Sequence, residues 1–190
     1  MKNSNNNKQM KMKNSILTLL IVIAFITQSC DTEIPPTDTD PPTFAFRITG
    51  DGFERTFTQD DDFESFRLYL KDDQEYDFIY SPGDTGGLKT AQIHYITDYF
   101  ELETDVPAAW TLLSRGLSST LLWQGDVNNP FTGTILNGTF RVNRDNDLVS
   151  FNIDFDVRDF GGESGSSNQT FKSLNILVGQ HATEIVYFPN

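Results

Sequence analysis

The 190 residues carry 27 acidic against 14 basic side chains, a net charge of −13 at neutral pH, with 16 phenylalanines and a single cysteine. That balance excludes nucleic acid and anionic lipid surfaces as partners, because basic patches are what hold both. One cysteine excludes an internal disulfide framework, and a domain of roughly 150 residues buries enough apolar surface to stand without one.

The chain opens with a polar, basic stretch, Met1 to Ser15, followed by an 11-residue apolar run, Ile16 to Ile26. A membrane-spanning helix takes about 20 such residues. A basic flank, a short apolar core and small residues after it instead predict a secretory signal peptide over residues 1–29. The run ends in Ile26-Thr27-Gln28-Ser29-Cys30, with the lone cysteine at its foot. This segment resembles the signal and lipobox of bacterial lipoproteins, of the Bacteroidetes type in its loose form. Ser29 and Cys30 match the motif, whereas Thr27 and Gln28 depart from the common Leu and Ala/Ser. The resemblance implies cleavage before Cys30, a lipid on its sulfur, and the membrane as a partner through that lipid. Removing residues 1–29 takes away four lysines and no acid, which leaves ten basic against 27 acidic residues, a net of −17.

Residues 31–42 read D-T-E-I-P-P-T-D-T-D-P-P, with four prolines and four acids. Such a composition builds no core and predicts an extended tether after Cys30, up to roughly 35 Å long at about 3 Å per residue. Acids just after the lipidated cysteine resemble the surface-export signal of Bacteroidetes lipoproteins. Asp31 at that place also resembles the inner-membrane retention signal of enterobacterial lipoproteins, and the loose lipobox favours the first reading.

Residues 43–190 are read as the domain. Phe44, Phe46 and Ile48 alternate with polar residues, then Gly50-Asp51-Gly52 makes a turn and Phe53, Arg55 and Phe57 continue. Further strands are predicted over 66–70, 76–80 and 88–96, with loops at Asp60 to Asp62, a tight connection at 71–75, and the Gly-rich stretch 81–87. Residues 98–115 read as strands or a packed loop, 117–123 as a strand, and 138–143 as a short one closed by a turn at 144–147. The plainest signal is Leu148 to Asp159, where Val149, Phe151, Ile153, Phe155 and Val157 share one face and Ser150, Asn152, Asp154, Asp156 and Arg158 the other. A period of two held this long marks a half-buried strand. A Gly/Ser-rich loop, a return strand around Leu174 to Val178 and a last strand at 185–188 complete the chain.

Short strands between regular turns predict an all-β antiparallel sandwich. The long strand, Asp159-Phe160-Gly161-Gly162 and the return strand resemble the last hairpin of immunoglobulin-like domains of bacterial surface proteins. Asp84-Thr85-Gly86-Gly87 repeats the D-x-G-G pattern 75 residues earlier. The repeat is compatible with two small tandem domains, but no linker separates the halves, which favours one larger sandwich.

Candidate sites are few. Asp154, Asp156 and Asp159, on the outward face and end of the long strand, could hold Ca²⁺ together with Asp145 and Asp147 or with Asp60 to Asp62; a solvated acidic face is the commoner fate of such residues. Trp110 and Trp123 could stack on sugar rings, although a chain this rich in phenylalanine also fills its core with aromatics. His94 and His181 cannot form a zinc set with the one cysteine, no G-x-S-x-G elbow is present, and no cofactor motif is present. Three functions follow in order: a non-catalytic structural or binding component of an outer-membrane assembly, meeting an envelope protein or glycan; a carbohydrate-binding accessory lipoprotein; and a hydrolase. Exposed coplanar aromatics would favour the second, and a cleft of carboxylates with raised pKa the third.

Overall fold

The computed structural model describes residues 34–143, 148–162 and 166–188, all within one compact unit, Thr32–Asn190. The signal segment, Cys30 and the turn expected at 144–147 lie outside the described residues.

Twelve strands form among the described residues: β1 (Thr43–Gly50), β2 (Phe53–Thr58), β3 (Phe66–Lys71), β4 (Gln74–Gly83), β5 (Leu88–Ile96), β6 (Phe100–Leu102), β7 (Trp110–Arg115), β8 (Ser118–Gln124), β9 (Leu136–Val142), β10 (Val149–Asp159), β11 (Gln169–Gly179) and β12 (Glu184–Tyr187). They make two sheets, one of five strands in the order β2-β1-β4-β9-β6 and one of seven in the order β12-β3-β11-β10-β5-β8-β7. The all-β sandwich expected from the sequence is the architecture found, larger than the seven or nine strands of an immunoglobulin domain. Pairing is antiparallel except between β11 and β3, which run parallel. Strands from the two halves of the chain interleave, β10 lying between β5 and β11, so the D-x-G-G repeat does not divide the body into two sandwiches.

The alternation read in the sequence sets the layers. On β10 the odd positions Phe151 to Asp159 face inward and are buried, and the even positions face out. Phe155, with no exposed surface, meets Phe44 and Phe46 of β1 at ring separations of 5.0 and 4.9 Å and Tyr80 of β4 at 5.5 Å. These contacts join the central strand of one sheet to two strands of the other. Each such aromatic pair adds about 0.5–1.5 kcal/mol beyond its buried area. At the β1–β2 hairpin, Asp51 and Gly52 take positive φ of 50° and 75°, as a two-residue turn matched to strand twist requires.

The tight connection expected at 71–75 is present, Asp72-Asp73 carrying the chain from β3 in one sheet to β4 in the other. Other local details depart from the sequence reading. β4 runs on through Ser81 and Pro82 to Gly83, where a loop is expected. Pro82 is opposite Phe44 near the end of the β1–β4 ladder. Residues 98–115 resolve into β6 and β7, and β7 buries only Trp110.

Residues 34–42 are the larger departure. The sequence reads them as free spacer, but they lie against the sandwich. The Thr170 hydroxyl donates to the Pro42 carbonyl, and the Asn168 amide Nδ2 donates to the carbonyls of Asp38 at 3.1 Å and Asp40 at 3.4 Å. Ile34 and Pro35 reach the glycines of the β4–β5 loop.

Candidate metal centre

The two D-x-G-G stretches, 75 residues apart in sequence, meet at one end of the sandwich. The first closes the β4–β5 connection and the second follows β10. The Phe160 N–H donates to the Gly87 carbonyl at 3.2 Å, tying one loop to the other. Asp84 is anchored from both sides: its N–H donates to the Thr132 carbonyl at 2.8 Å, and its Oδ2 accepts from the Gly86 N–H at 2.7 Å. Asp159 ends β10 on the inward parity and has no exposed surface. Its two oxygens accept from Asn168, Oδ1 from the backbone N–H at 2.6 Å and Oδ2 from the side-chain amide at 2.7 Å.

The tether supplies a third acid. Asp38, Asp84 and Asp159 each place a carboxylate oxygen within 4.8 Å of the others. Glycine makes this approach possible. A Cβ on Gly86 would collide with the Asp38 carboxylate, and one on Gly162, whose φ is +79°, would press on the backbone of Pro35, Thr37 and Asp38. Asp38 Oδ1 accepts from the Asp40 N–H at 3.0 Å, whereas Oδ2 is shut off from solvent and accepts no hydrogen bond. Among the described residues, no lysine, arginine or histidine makes an ion pair with any of the three. Burial, opposed by the Gly86 hydrogen bond and reinforced by the charges of Asp38 and Asp159, pushes the Asp84 carboxyl up to about 6. Carboxylates placed this close together favour the uptake of a cation.

The site residues expected from the sequence fall elsewhere, with one exception. Asp159 joins this cluster, but on the inward face, because it continues the parity of Phe155 and Val157. Asp154 and Asp156 point outward and are occupied. Asp154 Oδ1 accepts from the Ser173 hydroxyl at 2.6 Å, and Asp156 accepts from Arg158 at 3.1 and 3.2 Å and from Gln169 at 3.0 Å. The proposed grouping of Asp154, Asp156 and Asp159 is thereby split between two faces of the sheet. Asp61 is held by Arg55 and the Thr58 N–H, and Asp145 and Asp147 lie outside the described residues.

Trp110 and Trp123 sit opposite one another in the β7–β8 ladder, only 4% and 7% exposed. Trp110 Nε1 donates to the Ile135 carbonyl at 3.3 Å and its ring lies 6.1 Å from that of Tyr80. Neither indole has a face open to a sugar. His94 shares a 3.0 Å hydrogen bond with Thr120, and His181 lies against the Tyr69 ring. A shallow depression of about 570 Å³ on the outer face of the five-stranded sheet is lined by apolar Ile79 and Ile135 together with Arg47, Asp77 and Asn137, and no exposed ring lies along it. None of the three clustered carboxylates borders it. With Asp159 fully buried and Asp84 nine-tenths so, the cluster is no substrate cleft.

No family model matches the chain, and no curated protein matches it. Among solved structures, a cohesin module from a Clostridium perfringens family 33 glycoside hydrolase is similar at 10% identity and a TM-score of 0.31, over 60% of this chain and 98% of that one. At that distance nothing about ligand or partner transfers.

Proposed function

We propose that this chain is a lipid-anchored cell-envelope protein serving as a non-catalytic structural or binding component of an outer-membrane assembly. The observation that carries the reading is the position of Cys30, the single cysteine, directly after the apolar run Ile16 to Ile26 and its small-residue exit. Each methylene buried in a bilayer adds about 0.8 kcal/mol, so several acyl chains on that sulfur hold the protein to the membrane. The acids from Asp31 to Asp40 support the outer face of the outer membrane as its location.

The packing of residues 34–42 onto the body refines the picture. Most of the expected spacer is spent on the sandwich, so the domain stands close to the bilayer instead of tens of ångströms away. A sugar-binding accessory role is the weaker reading, since the two tryptophans that would serve it are core residues. The partner is then a neighbouring envelope protein or a glycan close to the membrane surface. Cys30→Ala, expressed in the native host type and followed by cell fractionation, moves the protein from the membrane to the soluble fraction. Retention wholly in the membrane would refute the anchor.

A further inference from the structure

We propose that Asp38, Asp84 and Asp159 form a calcium site whose ion latches the acidic tether onto the sandwich. Three features of the geometry lead there. The three carboxylates come from separate segments, the tether, the β4–β5 loop and the end of β10, yet their oxygens converge within 4.8 Å. Three oxygens on one Ca²⁺ at about 2.3–2.6 Å lie within about 4.5 Å of one another when evenly spread, so a shift of a few tenths of an ångström at most brings the set onto a single ion.

The second feature is independent of the clustering. Asp38 Oδ2 is closed off from water and has no donor, although it lies against Gly86, whose N–H is bonded to the neighbouring Asp84 carboxylate. A charged oxygen in that setting requires a partner, and no side chain among the described residues provides one. The third is the chemistry of the donors. All are oxygens, with no histidine or thiol among them, which selects a hard cation over zinc or copper. Irregular placement on three segments suits calcium's tolerant coordination better than the strict octahedron of magnesium.

The ion would do mechanical work. Asp84 and Asp159 sit on the sandwich and Asp38 on the segment packed against it, so loss of the ion would leave residues 34–42 to the hydrogen bonds from Asn168 and Thr170 and loosen them. Calcium would thereby set how far the domain reaches from its anchor.

The test is calorimetric titration of the detergent-solubilised full chain, stripped with chelator, with CaCl₂ and separately with MgCl₂. The expected result is one Ca²⁺ per chain, with a dissociation constant in the range of about 10⁻⁵–10⁻³ M typical of weak sensor and extracellular sites, and Mg²⁺ bound at least tenfold more weakly. Asp84→Asn and Asp38→Asn each weaken Ca²⁺ at least tenfold, while Asp156→Asn, on the outward face, leaves it unchanged. Asp38→Asn keeps the test valid if the loop variant fails to fold, because Asp38 lies outside every strand. Absence of saturable Ca²⁺ binding, or its loss in Asp156→Asn with retention in Asp38→Asn, would overturn the site.

Discussion

One amide, that of Asn168, joins three segments at the end of the sandwich. Its Nδ2 reaches the carbonyls of Asp38 and Asp40 and the buried Asp159 carboxylate. Asn168→Ala leaves Asp159 Oδ2 buried without that donor and removes two tether contacts. Hydrogen bonds to a charged group contribute about 1.5–3 kcal/mol each, and an orphaned charged acceptor costs at least as much. Chemical denaturation should show a loss of about 2–4 kcal/mol for the variant; stability within about 0.5 kcal/mol of the parent would contradict the placement. Nothing in the sequence marks Asn168 for this role, because a polar residue ending a Gly/Ser-rich loop has the context of any loop. For Asp159 the signal was present: it shares odd parity with Phe155 and Val157 and begins the same D-x-G-G pattern as Asp84. Grouping it with Asp154 and Asp156 by sequence proximity hid that parity.

Among the elements, those whose two faces differ were legible. β5 and β10 are legible to within a residue because polar and apolar positions alternate over Ala91 to Tyr95 and over Val149 to Arg158. β7 was not, since its five residues after Trp110 are all exposed and no face repeats. Strand neighbours were illegible as well. The parallel pairing of β3 with β11 joins residues about a hundred positions apart, and no local pattern encodes it. The hold on β7 is therefore concentrated in Trp110, which fills the core beside Tyr80 and bonds the Ile135 carbonyl. Trp110→Ala should cost about 3–5 kcal/mol, as truncating a buried large aromatic does, and lower the thermal midpoint accordingly. A variant of unchanged stability that had lost affinity for a glycan would instead restore the stacking role.

At the scale of the whole molecule, composition predicted the wrong state for one segment for an instructive reason. Prolines and acids cannot form a core of their own, and residues 34–42 do not; they lie along the surface of a body that presents bare glycine backbone, Asn168 and Thr170 to them. Charge points the same way. In a chain with 14 bases against 27 acids, seating a further carboxylate beside a carboxylate-bearing loop is unfavourable unless a cation joins them. The packed body thus includes residues 34–42 ahead of β1, held through Asn168 and Thr170. Limited digestion of the folded full chain with an endoprotease that cuts before aspartate tests this most directly, with cleavage mapped by mass. The account predicts that the bonds before Asp38 and Asp40 are cut no faster than the sandwich itself unfolds. Rapid cutting there, at the rate of a free peptide of the same sequence and with the sandwich intact, would contradict it.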